Sequence, residues 1–494
     1  MKKKIVVIGS GFAGLTAATH LSAAGHEVHL LEKNDQSGGR ASVWEKDGFT
    51  FDMGPSFYWM PEVFEQHFEH FGYKASDFYQ LKRLDPGYRI YANKHQQIDA
   101  SADLETLKAA FEQREKGSAK KLEAFLKDAE YKYHTAMGDY VNRLSDSITE
   151  FLEPRLIFKT IQLNLFSSIR SAIRKQFKDP VLVSMLEFPV LFLGSTPDKT
   201  PALYSMMNYA DLIKGTWYPM GGMGMVSKAF TDLAKLKGVN LHLNTEVLNI
   251  EVLNKMAKRV KTNQGDFDAD IVISGADYHH TEQNLLNADN RVYDQNYWEK
   301  RSMSPSALLF YVGLNKRIEG IEHHSLFFDE DFEQHAIEIY KDPKWPSKPL
   351  FYLSAASKSD NSIAPEGCEN LVFLIPLAPG LTDSDDMREH YFNVQMDRLE
   401  QRTGQSLRAN VVVKRSYAMR DFERDYYSFK GNAYGLANTL LQTAFLKPKI
   451  KSKKVNNLFY TGQLTVPGPG VPPTILSGEI VAKEVLKQIQ AKKI

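Results

Sequence analysis

The sequence predicts an α/β fold: a parallel sheet covered by helices, with a second sheet built further along the chain. Three observations predict it. At the N-terminus a β-branched run (residues 5–8) leads into Gly9-Ser10-Gly11-Phe12-Ala13-Gly14, then an Ala/Leu-rich segment ending near Gly25. A second apolar run (28–31) follows and closes on Glu32. Near the C-terminus, residues 458–460 read as a strand, followed by a Gly/Pro-rich loop and a helix from about Ile475 to Gln490. Between them, residues 307–312, 371–377 and 411–413 are apolar runs of strand type, enough for a separate sheet.

Composition bounds the rest. At 494 residues the chain is long enough for two or three domains, and its formal charge of +1 gives no reason to expect a nucleic-acid partner. The single cysteine, Cys368, excludes an internal disulfide and leaves no cysteine cluster for zinc or iron–sulfur. Lys2-Lys3-Lys4 imitates the start of a signal peptide, but the apolar run after it passes straight into the glycine loop and reads as a strand. No stretch reaches about 18 uninterrupted apolar residues, so neither a signal peptide nor a membrane-spanning helix is expected.

The N-terminal unit is a dinucleotide-binding fingerprint in its proper context: strand, G-x-G-x-x-G, helix, strand, and an acid about 20 residues on. Gly9 suits the tight turn, Gly11 lets backbone approach a pyrophosphate, and Gly14 allows close helix–strand packing. Phe12 and Ala13 open the helix, whose N-terminal amides and dipole face the phosphates. Glu32, with Lys33 beside it, is placed to accept hydrogen bonds from ribose hydroxyls, which favours a ribose without a 2′-phosphate. Gly38-Gly39-Arg40 then follows at a spacing similar to that of FAD enzymes of the amine-oxidase/glutathione-reductase-like superfamily. Arg40 supplies a planar cation suited to the pyrophosphate, so FAD is the cofactor expected.

Residues 48–56 alternate aromatics into Gly54-Pro55-Ser56, a strand running into a tight loop. Tyr58-Trp59-Met60-Pro61 adds bulky apolar groups suited to a pocket or a core. From Gly38 to Phe64 the run GGRASVWEKDGFTFDMGPSFYWMPEVF resembles the bacterial-type phytoene desaturases, a family of carotenoid desaturases and isomerases. Thr216-Trp217-Tyr218-Pro219-Met220-Gly221-Gly222-Met223-Gly224 is similar to another segment of that family, and residues 269–277 to its third cofactor-domain strand. Residues 457–462 leading to Pro467-Gly468-Pro469-Gly470-Val471-Pro472 and Ser477-Gly478 are similar to its C-terminal motif. Gln463-Leu464-Thr465-Val466 departs from it where many relatives carry Ala/Ser followed by Thr or Ser and His.

The resemblance covers essentially the whole chain. It implies that Gly54, Pro55, Ser56, Val247, Gly275, Ala276, Gly462, Gly470, Val471 and Pro472 join the fingerprint residues around FAD. It also implies that the C-terminal helix presents its amides to the flavin's pyrimidine edge. The domain division expected is a Rossmann-like FAD-binding domain from 1–80, 216–290 and 440–494, and a mixed-sheet substrate domain from 81–150 and 291–439. Residues 151–215 would form a helical, membrane-facing insertion.

The middle of the chain is less directive. Residues 105–140 read as charged, solvated helices. From Pro154, Ile157, Ile161, Leu165, Ile169 and Ile173 recur every fourth residue among Lys159, Arg170, Arg174, Lys175 and Lys178. A helix of this kind lies either in a membrane interface or in a hairpin packed on the substrate domain, and the resemblance favours the membrane. Tyr434, in a loop similar to one of the family, faces flavin or substrate, or is a hinge aromatic. His279-His280 and His323-His324 lack the spacing of metal ligands on one helix face and read as surface or capping residues, so no metal is expected. No G-x-S-x-G elbow is present, and no cysteine in the C-terminal loop supports covalent flavin attachment.

The function expected is FAD-dependent desaturation of phytoene and its partly desaturated products towards lycopene. The enzyme would work peripherally at the cytoplasmic side of a membrane, with quinone or oxygen as electron acceptor and no catalytic side chain assigned. The GGRA and GFTFD-x-GP details resemble phytoene desaturases. The alternatives are a 1-hydroxycarotenoid 3,4-desaturase, a flavin-dependent cis–trans carotenoid isomerase and an amine-oxidase-like flavoenzyme. A non-catalytic lipid binder would require FAD to be absent, against two intact cofactor motifs.

Overall fold

The computed structural model describes residues 2–93, 95–140, 167–194, 196–439 and 442–494. Five parallel strands form the central sheet in the order Leu458–Tyr460, Ile271–Ser274, Lys4–Ile8, Glu27–Leu31, Asn240–His242. The run of β-branched residues at its centre has no polar alternation because both faces are covered. Ile5 and Val7 face a helical layer, whereas Val6 and Ile8 face an antiparallel meander of Val247–Leu253, Met256–Thr262 and Gly265–Asp268.

The helical layer holds the fingerprint helix (Phe12–Ala23), the helix Met223–Leu236 and the C-terminal helix (Val471–Gln490). Two glycines set how closely these approach. A Cβ on Gly14 would fall on the carbonyl oxygen of Gly9, and one on Gly478 would overlap the Ala13 carbonyl and Thr16 of the fingerprint helix. The C-terminal helix begins at Val471 rather than near Ile475. Pro472 and Pro473 belong to its first turn, where a missing N–H breaks no helical bond.

The second sheet has seven strands: Val411–Tyr417, Ser306–Leu314, Glu369–Leu377, Phe351–Ser354, His324–Phe327, Arg89–Tyr91 and Gln97–Asp99. It is mixed, because Arg89–Tyr91 pairs in parallel with His324–Phe327 while the other neighbours run antiparallel. Phe310, Val312, Phe373 and Ile375 point to the helix Asp385–Thr403. Leu309 and Leu374 point to the opposite side, into a cavity.

The helices predicted over 105–140 form as Leu104–Arg114 and Ser118–Thr135, but they are not simply solvated. Leu107, Phe111, Leu122, Phe125 and Leu126 are buried, a stripe at helical spacing that the interleaved Lys and Glu residues obscured. Ile169–Gln176 packs onto that stripe. Ile169 and Ile173 are fully buried, and Phe177 meets Phe111 and Phe125 edge-on. Arg170 and Arg174 reach Glu187 and Glu333. In this half of the amphipathic segment the apolar side chains Ile169 and Ile173 are covered by protein; Ile157, Lys159, Ile161 and Leu165 lie outside the described residues. Among the described residues, no helix is long and apolar enough to cross a membrane.

Candidate active site

The loops leaving the carboxyl ends of the parallel strands are stitched to one another by backbone hydrogen bonds. Gly9 N donates to Leu31 O (2.7 Å), Gly38 N to Ser10 O (2.9 Å), Gly275 N to Ile8 O (2.7 Å) and Thr461 N to Ser274 O (2.9 Å). They frame one end of a cavity of about 550 Å³, at the sheet edge where open α/β folds bind ligands. Gly9, Gly11, Phe12, Ala13, Glu32, Lys33, Gly38, Gly39, Arg40, Gly54, Pro55, Ser56, Val247, Gly275, Ala276, Gly462, Gly470, Val471 and Pro472 all line it. Among the residues expected from sequence, Gly14 alone does not. Its place is behind the loop, in the helix–strand contact.

Glu32 is buried, and its carboxylate is already oriented. One oxygen accepts from Ser10 N and Ser10 Oγ, both at 2.8 Å, and the other from Asn34 N at 3.0 Å. Lys33 Nζ lies over the Tyr427 ring at 3.8 Å and donates to Arg424 O, with burial lowering its pKa. The Arg40 guanidinium donates to Ser428 Oγ (3.1 Å) and lies over Tyr426 at 5.0 Å. Its Nε is buried without a hydrogen-bond partner. Asp277 Oδ1 accepts from His280 N at 3.1 Å, Oδ2 has no partner, and burial raises the carboxyl's pKa. At the opposite rim, Gly462 N donates to Ser477 Oγ (3.0 Å) and Thr465 Oγ1 to Gly462 O (2.9 Å). These bonds fix the loop that leads to the N-terminus of the C-terminal helix.

Beyond this cradle the cavity continues between the mixed sheet and the helices. Trp59, Phe188, Leu309, Leu326, Phe328, Phe332, Ile339, Leu374 and Tyr434 line that part. Its polar groups are few. His335 is held by Leu350 N at 3.1 Å and Pro376 O at 3.0 Å, and burial pulls its pKa down to about 4, so it is neutral at physiological pH. Asn438 Oδ1 is buried without a partner.

The histidine pairs differ from expectation. His280 lines the cavity, stacks on Tyr427 at 4.1 Å and is pulled down to about 4 by burial. His323 and His324 are buried rather than on the surface. His323 pairs with Ser359 Oγ (2.8 Å), and His324 pairs with Tyr352 Oη (2.7 Å) and stacks on Phe57. Sequence reasoning also passed over Asp277, although it directly follows Gly275-Ala276, and over Asn438. Ser428 and Tyr426, the partners of Arg40, lie almost 390 residues away from it, beyond any local signal.

The profile of flavin-containing amine oxidoreductases matches residues 12–486. The chain belongs to this family. Within it, the flavoenzyme is 40% identical over 487 residues to the carotenoid 3,4-desaturase of Haloarcula japonica, covering 98% of each chain. It is 29% identical to the zeta-carotene-forming phytoene desaturase of Myxococcus xanthus, covering 100% of this chain and 95% of the relative. A double mutant of putrescine oxidase shares its fold with a TM-score of 0.63 at 13% identity, covering 99% of both chains. FAD is the flavoenzyme's cofactor. Two features of the cradle fit that group. A Cβ on Gly11 would meet nothing within 4 Å and would project into open cavity, where backbone must approach phosphate. The orphaned Arg40 Nε is a buried donor awaiting an anion.

Proposed function

We propose that this flavoenzyme is a carotenoid desaturase that introduces a carbon–carbon double bond into an acyclic polyene, acting at the 3,4-position. The observation that carries the reading is the apolar channel opening directly from the FAD cradle. A hydrocarbon chain offers no polar handle, so it can be held only by burial and shape. An amine substrate would call for polar or anionic groups in the channel, and Asn438 and a neutral His335 do not supply a counter-charge. The 40% identity to a carotenoid 3,4-desaturase supports the choice of bond. Desaturation of phytoene, the reading favoured by the GGRA and GFTFD-x-GP runs, is the second reading, supported by the 29% identical phytoene desaturase.

In this proposal bound FAD would supply the two-electron acceptor for a hydride leaving an allylic carbon, while the neighbouring carbon loses a proton to solvent as the double bond forms. The chain does the rest. Gly9, Gly11 and Gly39 would let backbone approach the pyrophosphate, Arg40 would neutralise it, and Glu32 would accept from ribose hydroxyls. With Pro472 and Pro473 in its first turn, the C-terminal helix would offer the Val471 N–H and the positive end of its dipole to the flavin edge where negative charge develops. The apolar walls exclude water and align the polyene against the cofactor. The segment division proposed from sequence is supported by sheet membership. All five parallel strands come from 1–80, 216–290 and 440–494, and all seven mixed-sheet strands from 81–150 and 291–439. The substrate's insolubility in water supports work at a membrane surface, with quinone or oxygen as the terminal acceptor.

The test is product analysis with FAD-loaded protein, liposomes and a quinone or oxygen. Acyclic carotenoids already desaturated in the chain centre should gain one conjugated double bond per 3,4-position, seen as a red shift. Phytoene turning stepwise into coloured products would instead establish the second reading. Protein with bound FAD that changes neither substrate, and instead isomerises a cis-carotenoid or releases peroxide from an amine, would overturn both.

A further inference from the structure

Away from the residues that line the cavity, three helices bring together side chains with no role in the proposed chemistry. His20 lies in the last turn of the fingerprint helix, His67 sits on Pro61–His70, and Glu479 lies in the C-terminal helix. One ligand atom from each lies within 4.8 Å of the others. His67 is completely buried, and neither of its ring nitrogens has a hydrogen-bond partner; the Nε2 of His20, 8% exposed, has none either. Three orphaned imidazole nitrogens in one place are costly in an apolar interior. Aromatic packing occupies the ring faces, with His67 stacked on Phe230 at 4.5 Å, but leaves the in-plane lone pairs unanswered. Glu479 is held on one side by Lys483 (3.3 Å).

We propose that His20, His67 and Glu479 bind a divalent transition-metal ion, zinc(II) by the chemistry of the donors. Two imidazoles and a carboxylate are the ligand set of a four-coordinate zinc that keeps one position for water. Bonds of about 2.1 Å put ligand atoms about 3.4 Å apart in a tetrahedron, so the set closes onto the ion by side-chain adjustment alone. Exposed His70, its ring centroid 4.5 Å from that of His20, marks the solvent side through which an ion arrives. The ion would tie together the two helices whose N-termini carry the N- and C-terminal cofactor motifs. None of the three ligands lines the cavity, so the ion would lie outside the reaction path.

The test uses full-length, tag-free, FAD-loaded protein stripped with a chelator, given one equivalent of zinc chloride and passed through gel filtration. One zinc should remain per chain, and the unfolding midpoint should rise with zinc but not with magnesium. Cobalt(II) in its place should give the intense visible bands of a four-coordinate site. His67→Gln and Glu479→Gln should each weaken zinc binding by about tenfold or more while retaining the flavin absorbance. Glu479 is partly exposed, so its variant reports even where His67→Gln fails to fold. Zinc lost on the column, or held equally well by Glu479→Gln, would overturn the proposal.

Discussion

The two ends of the cavity follow different rules. The cradle is built from backbone: glycines at loop tips, helix N-termini, and a few oriented side chains such as Glu32 and Arg40. The channel is built from side-chain surface contributed by helices and by one face of the mixed sheet. Where backbone packs on backbone there is little room for added atoms: a Cβ on Gly54 would fall on the Arg40 carbonyl oxygen, and one on Gly9 would crowd the Gly275–Ala276 peptide. A surface site tolerates substitution in proportion to the area lost. The cradle is therefore where single residues are decisive, and the channel is where many residues share a diffuse task.

The largest expected effect tests the helix–strand contact that backs the cradle. Gly14→Val would drive a side chain into the Gly9 carbonyl, and no FAD-loaded protein should be recovered; normal flavin content per chain would break the comparison at once. Arg40→Ala removes a buried donor together with its bond to Ser428 Oγ. FAD affinity should fall roughly tenfold to hundredfold, the worth of one charge-assisted hydrogen bond, read by flavin fluorescence titration. An unchanged Kd would take Arg40 out of the cofactor contacts.

Next comes a polar exception beside the channel wall. Asp211 accepts from Tyr88 Oη (2.7 Å) and Thr216 Oγ1 (3.1 Å), and Thr216 accepts in turn from Trp59 Nε1 (2.8 Å). Burial pushes the Asp211 pKa up to about 7. The folded state therefore holds this proton more tightly than the unfolded chain does. Its contribution to stability is full below about pH 4 and is lost as pH rises to about 7. Asp211→Asn should flatten that part of the stability profile; an unaltered slope between pH 4 and 7 would show that other groups set it. The smallest effect belongs to the channel. Phe328→Ala trims one of many apolar walls, and KM for the polyene should rise roughly fivefold, about 1 kcal/mol, with flavin content unchanged. A loss as large as that of Arg40→Ala would make the channel as exacting as the cradle.

How much was legible in the sequence follows the same division. The strand–loop–helix–strand unit at residues 4–32, the Gly38-Gly39-Arg40 turn and the Gly462–Pro472 loop could be read because close backbone approach leaves its mark on local residue type. The strand cores of both sheets were legible as apolar runs, although their ends were not: Val411–Tyr417 continues well past Val413 because pairing with Ser306–Leu314, not composition, sets its length. The burial of Ile169 and Ile173 was hidden, because an amphipathic pattern states that one face is covered without naming what covers it. Local spacing directed attention away from ligand pairs at His279-His280 and His323-His324. It had no means of joining His20, His67 and Glu479, which meet only through helix packing.

The sequence by itself determined the cofactor class and the parallel sheet that presents it, because glycine placement and strand hydrophobicity are local requirements of that chemistry. Only the tertiary structure decided the continuity of cradle and channel, the partners of Arg40 and the meeting of three distant helices. Those depend on contacts between residues hundreds of positions apart, which packing selects and no single stretch of chain encodes.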